Sequence, residues 1–219
     1  MDYIDIFIKN DYIDLKQIAE SGQCFRWKKI CPGRYFVISD GRAACFFQEK
    51  TGIRILCHEK DEEYFRRYLD LDTDYEKIIE QIDQEDRFLS GAAKMGKGIR
   101  ILRQDLWEMI VSFIISQRNN IPRIMKSIDA LCERLGEKIV FEYEEEYLIG
   151  YSFPQPEVLA KADLSEFKFG YREKYIRQTA EDILTGKFEL SVLQTAVAKG
   201  ASPEEGKEML KKLHGVGEK

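Results

Sequence analysis

Histidine is almost absent from this chain, and nothing else gathers in the way metal ligands do. Two histidines, His58 and His214, stand far apart among 219 residues. The five cysteines (Cys24, Cys31, Cys45, Cys57 and Cys132) are scattered, with no C-x-x-C pair. No zinc site has the spacing it needs, and the thiols are expected to stay reduced, as in a cytoplasmic protein. No apolar run approaches the roughly 20 residues of a membrane span. The opening MDYIDIFIKND lacks the basic start, apolar block and small-residue cleavage site of a secretory signal. Nothing repeats at a period that would build a solenoid. These absences argue against a metal centre, a membrane protein and a disulfide scaffold. A monomer with no metal and no cofactor is expected.

Excess positive charge is missing too. The net charge is −5, which at first sight argues against a nucleic-acid partner. Its distribution changes the argument. Residues 1–95 carry 15 basic and 19 acidic groups, residues 96–135 carry 7 and 4, and residues 136–219 carry 12 and 16. A basic segment of net +3 therefore sits between two acidic ones. A positive face is sufficient for binding DNA, because charges beyond a Debye length of about 8 Å are screened.

What is present is ordinary globular material, 44% hydrophobic and 33% charged. The first sixty residues have the pattern of a sheet. IDIFI alternates, CFRWKKI, RYFVISD, ACFFQEK and IRILCHE are aromatic or β-branched, and CPG, DG and TG separate them as turns. From Asp61 the spacing turns helical: DEEYFRRYLDL, DYEKIIEQI and DRFLSGAAK predict three helices. Everything later is expected to be helix. DLWEMIVSFIIS is apolar on most sides, and NIPRIMKSIDALCERLG has Pro122 in a first turn and Gly136 as a stop. The expected fold class is α+β. An antiparallel sheet domain with following helices spans residues 1–95, an all-helical domain spans residues 96–219, and the boundary lies near residues 94–98.

The last stretch, KKLHGVGEK, places Gly215, Val216 and Gly217 after Leu213 and before Lys219. Two glycines around a small apolar residue allow a tight turn whose N–H groups face a phosphate. This resembles the hairpin of the helix-hairpin-helix motif, which grips the DNA backbone without reading bases. SGQCFRW at residues 21–27, GIRILRQDLWEMIVSFIISQRNNIPRI at residues 98–124 and FGYREKY at residues 169–175 extend the match. Together, in this order, they resemble the 8-oxoguanine DNA glycosylase family of the helix-hairpin-helix superfamily.

That resemblance implies a base-excision repair enzyme acting on double-stranded DNA that carries 8-oxoguanine opposite cytosine, nucleoid-associated if the source is bacterial. Lys219 matches the catalytic lysine, whose amine attacks the sugar C1′ and forms a Schiff base that permits AP lyase cleavage by β-elimination. Gly22 matches the glycine whose carbonyl accepts from N7–H of the lesion, a hydrogen that normal guanine lacks. Phe113 is a candidate for the base pocket, beside a competing reading as a core residue. Arg123 and Arg172 match arginines that contact the orphan cytosine, whose O2 and N3 are acceptors. Tyr171 matches an aromatic wedge that helps extrude the base. Arg118, Asn119 and Asn120 stand where the family often has three asparagines. Arg118 thus departs from the pattern at the position that fills the gap left by the flipped base. The family also continues past the lysine with a second hairpin helix and an essential aspartate, so a chain truncated within the active site, and inactive as it stands, is expected. A non-catalytic module that senses damaged or kinked duplex is the alternative reading.

Overall fold

The computed structural model describes residues 2–83, 85–143 and 145–217. The chain divides into two compact units. The first is Met1–Gln104 with Ile139–Gly150, and the second is Asp105–Lys138 with Tyr151–Lys219.

The first unit is built on five antiparallel strands: β1 (Tyr3–Lys9), β2 (Trp27–Cys31), β3 (Arg34–Ser39), β4 (Arg42–Glu49) and β5 (Gly52–His58). Their order in the sheet is β1-β5-β4-β3-β2. The period of two assigns the faces. Tyr35, Val37, Ala44, Phe46, Ile53 and Ile55 point to one face and pack with Leu15, Ile18, Phe65, Tyr68 and Leu69. Phe36, Ile38, Ala43, Cys45 and Leu56 point to the other. Burying both faces explains why β3 is an almost unbroken apolar run, and each such side chain contributes about 1.5–3 kcal/mol. The first face is covered by α1 (Leu15–Glu20) and α2 (Glu62–Tyr68). Trp27 donates its indole N–H to the Tyr68 hydroxyl at 2.9 Å beneath them. Two further helices, α3 (Tyr75–Glu80) and α4 (Arg87–Met95), match the sequence pattern.

Two elements differ from the sequence-based expectation. Helix α1 interrupts the expected run of strands; it is only six residues long and is capped by the Asp14 carboxylate. The segment expected to be wholly helical contains a hairpin, β6 (Lys138–Tyr143) and β7 (Glu146–Tyr151). It covers the second face of the sheet, with Phe141 buried and Ile139, Tyr143 and Leu148 around it. The units therefore exchange at Gln104 rather than near residues 94–98, and the chain returns to the sheet unit once.

Arg100 pins the sheet unit's connections. Its side chain has no solvent exposure. It donates to the carbonyls of Leu69 at 3.0 Å, Tyr12 at 3.1 Å, Thr73 at 2.8 Å and Asp70. The guanidinium also lies over the Tyr75 ring at 4.2 Å. Burial lowers its pKa from the ordinary arginine value.

The second unit is helical: α5 (Leu106–Ser116), α6 (Ile121–Leu135), α7 (Pro156–Lys161), α8 (Arg172–Leu184), α9 (Leu190–Ala198) and α10 (Pro203–Leu210). Helix α5 is central and packs on α6, α8 and α9. Trp107, Ile110, Val111, Ile114 and Ile115 are buried, and the Trp107 indole donates to the Pro154 carbonyl at 2.8 Å. Helix α10 begins with a capping box between Ser202 and Glu205.

Candidate DNA-binding site

Helix α5 stops at Ser116 and α6 starts at Ile121, so residues 117–120 must turn the chain sharply. Arg118 takes the strained part of the turn at φ 45°, a left-handed conformation uncommon outside glycine. The two asparagines beside it serve the backbone. The Asn119 amide donates to the Ile115 carbonyl at 3.2 Å, closing α5. The Asn120 side chain accepts from the Arg123 N–H at 3.0 Å, capping α6. Arg118 itself is exposed, as is Arg123 in the first turn of α6.

Tyr171 and Arg172 open helix α8. Tyr171 is half exposed and meets Tyr175 edge to face, with ring centroids 5.8 Å apart. Arg172 lies over the Tyr171 ring at 4.9 Å. Its guanidinium reaches back to the turn after α5. Nε donates to the Gln117 carbonyl at 2.9 Å, and one terminal nitrogen donates to that carbonyl and to the Arg118 carbonyl at 3.4 Å. The other donates to the Phe169 carbonyl at 3.1 Å.

The glycine turn follows α10. Leu213 is buried and anchors it, and the Val216 N–H donates to the Leu213 carbonyl at 3.2 Å. Gly215 has φ +85°, and a Cβ there would lie 2.6 Å from the Tyr175 ring. Only glycine allows both that backbone conformation and that approach. The Gln117 side-chain amide donates to the Gly215 carbonyl. His214 stands 3.4 Å from Asp182.

The result is an open cleft of about 400 Å³, lined by Gln117, Arg118, Tyr171, Tyr175 and residues 215–217. Three motifs separate in sequence thus meet at one place. Gln117 and Tyr175 belong to it as well, and sequence reasoning missed both. The signals were available, since Gln117 directly precedes Arg118 and Tyr175 ends the GYREKY element.

Phe113 and Gly22 are not among the residues that line the cleft. Phe113 is 47% exposed, on the same face of α5 as the partly exposed Met109. This exposure corrects its reading as a core residue. Gly22 belongs to the sheet unit and has φ 80°. Gln23 fixes its loop by donating to the Arg100 carbonyl at 2.9 Å and accepting from the Leu102 N–H at 2.8 Å, while Gln104 donates to the Gln23 carbonyl at 2.6 Å. Lys219 lies outside the described residues. Among the described residues, no group of three or more His, Cys, Asp or Glu is arranged to hold a metal ion, and no helix is long and apolar enough to cross a membrane.

Comparison with known proteins gives consistent results. Residues 5–110 match the family described as 8-oxoguanine DNA glycosylase, N-terminal domain. A curated N-glycosylase/DNA lyase of Saccharomyces cerevisiae is 30% identical over 246 aligned residues, covering 97% of this chain and 62% of that protein. The chain therefore spans less than two thirds of that relative's length. An 8-oxoguanine glycosylase/lyase of Clostridium acetobutylicum was solved with double-stranded DNA containing cytosine opposite 8-oxoG. It superposes with a TM-score of 0.84 at 32% identity, covering 99% of this chain and 76% of that one. MBOgg1, solved with a low affinity DNA ligand, has a TM-score of 0.85 at 34% identity, with the same coverage.

Proposed function

This chain belongs to the 8-oxoguanine DNA glycosylase family, and on that premise we propose that it serves base-excision repair by removing 8-oxoguanine opposite cytosine in double-stranded DNA, as a monomer. The observation that carries the proposal is the cleft, in which the turn at Arg118, the start of α8 and the glycine hairpin converge. Exposed Arg118 within that turn and exposed Arg123 in the first turn of α6 supply donors that suit a cytosine stripped of its partner. Tyr171 presents an aromatic edge where the bases part. The turn at residues 215–217 approaches the phosphates through its backbone. Phe113 contributes an exposed ring for the extruded base, and Gly22 a carbonyl for N7–H of the lesion.

In this reading Lys219 provides the nucleophile. Its neutral Nζ bonds to C1′ as the C1′–N9 bond breaks, and the departing base takes that electron pair and a proton. Loss of a proton from Nζ and opening of the sugar leave a Schiff base. Removal of a C2′ proton then expels the 3′-phosphate by β-elimination. A lysine has an ordinary pKa near 10.4, so the amine must be depressed before it can attack.

Borohydride trapping on an 8-oxoguanine·cytosine duplex tests the reading. A version extended to the relatives' length should form a covalent adduct that Lys219→Gln abolishes. Duplex binding without any adduct in the extended version would favour the non-catalytic damage-sensing module instead.

A further inference from the structure

Tyr175 touches two of the segments that meet in the cleft. It stands one helical turn after Tyr171, so both rings project from the same side of α8. They meet edge to face, with centroids 5.8 Å apart and planes at 73°. The Tyr175 ring also meets the glycine turn. A β-carbon on Gly215 would lie 2.6 Å from its Cδ2 and 2.7 Å from its Cγ, so the bare Gly215 backbone sits directly against the ring. The nearest atoms are Cδ2, Cγ and Cβ, so the base of the ring, not the hydroxyl, bears on the turn. Tyr175 is partly buried, whereas Tyr171 is half exposed.

We propose that Tyr175 is a positioning residue that braces Tyr171 against the glycine turn, so that the aromatic wedge keeps a fixed distance from the phosphate grip. The proposal rests on the cleft being the DNA site. Stacked bases resist the ring that enters between them. A half-exposed tyrosine free to change rotamer swings aside under that resistance. An edge-to-face partner one turn away restrains it. That partner is itself backed by the Gly215 backbone, where no β-carbon fits. The turn has other ties, from the Gln117 amide and from His214 beside Asp182. The wedge likewise keeps the Arg172 guanidinium over its ring. Loss of the Tyr175 ring should therefore blunt the wedge rather than abolish binding.

The experiment uses the 219-residue chain and a duplex carrying a tetrahydrofuran abasic analogue, with 2-aminopurine beside the orphan cytosine. Fluorescence anisotropy reads affinity, and brightening of 2-aminopurine reads unstacking. Tyr175→Leu is expected to weaken binding about fivefold, the scale of one aromatic pair, and to lower the brightening of the saturated complex. A residue that only stabilised the fold would reduce the folded fraction and leave the signal of the saturated complex unchanged. Tyr175→Phe, which keeps the ring, should restore both readings. With Tyr171→Leu added to Tyr175→Leu, the brightening should fall little below that of Tyr171→Leu alone, because the brace acts through the wedge. If Tyr175→Leu does not fold, Tyr175→Met is measured in its place with the same expectation. A Tyr175→Phe variant as impaired as Tyr175→Leu would make the hydroxyl a direct DNA contact and overturn the proposal. Full brightening in Tyr175→Leu, or additive losses in the double variant, would overturn it as well. Failure of the unaltered chain to prefer the abasic duplex over an undamaged one would instead remove the DNA-site reading beneath it.

Discussion

Arg100 in the sheet unit and Arg172 in the helical unit both clamp backbone carbonyls, but their surroundings differ. Arg100 is completely buried and holds the carbonyls of Tyr12, Leu69, Asp70 and Thr73. Arg172 is half-buried and holds carbonyls beside an open cleft. Without the guanidinium, Arg100's acceptors are stranded away from water, whereas those of Arg172 can be hydrated. The same fork of donors therefore maintains the fold in one unit and shapes a site in the other.

The largest expected effect tests this contrast directly. Arg100→Leu should lower stability by about 3–5 kcal/mol, the cost of leaving partners of a buried charged group unpaired. Arg100→Lys should fare nearly as badly, because an ammonium on a flexible stem cannot match four carbonyls at fixed angles. Arg172→Ala should cost about 1 kcal/mol or less, since water replaces its donors. Urea denaturation of the three variants measures all of this. Equal losses at the two arginines would end the contrast.

A smaller effect is expected at the hairpin. Gly215→Ala places a β-carbon against the Tyr175 ring and forces a left-handed residue to carry it. The expected cost is about 1–3 kcal/mol, from strain together with displacement of the ring. Adding Tyr175→Ala removes the clash but leaves the backbone strain, so the double variant should recover only part of the melting temperature. Full recovery would mean that φ does not limit this position. No recovery would mean that the ring does not.

The difference between the units also explains what the sequence made legible. The glycine turn, GYR and the run around Arg118 were readable because each carries local chemistry: φ freedom, an aromatic next to a cation, donors at a helix start. The five-stranded sheet was readable because Tyr35, Val37 and their neighbours alternate at period two. The bond between Gln117 and Gly215 was not, since it depends on two turns that meet only after five helices have packed. Hairpin β6–β7 was missed for a related reason. Its alternation of Ile139, Phe141 and Tyr143 is broken up by glutamates and has meaning only against Phe36 and Ile38, about a hundred residues earlier. The competing core reading of Phe113 arose because a phenylalanine amid DLWEMIVSFIIS looks buried on every side, whereas one face of α5 is open.

The smallest expected effect concerns how that hairpin stays on the sheet. Arg34 of β3 makes a two-pronged pair with Glu146 of β7, one contact at 3.0 Å. The guanidinium also lies over the Phe47 ring at 5.1 Å. The nearby positive charge holds the Glu146 carboxyl below its ordinary value of 4.5. The folded state therefore releases this proton more readily than the unfolded chain does. The pair's contribution is fully present above about pH 4.5 and fades as the pH falls through the lowered folded value. Arg34 stays charged throughout, so the carboxyl alone sets the window. Because Glu146 is largely exposed, salt should weaken the effect. Protection factors against hydrogen exchange at residues 139–143 and 146–148 should therefore fall on acidification more than those in β4 and β5. In Glu146→Gln the hairpin should already exchange faster at neutral pH, and the extra acid sensitivity should vanish. An unaltered acid profile in that variant would show that packing of Phe141 alone holds the hairpin, and that the ion pair merely decorates it.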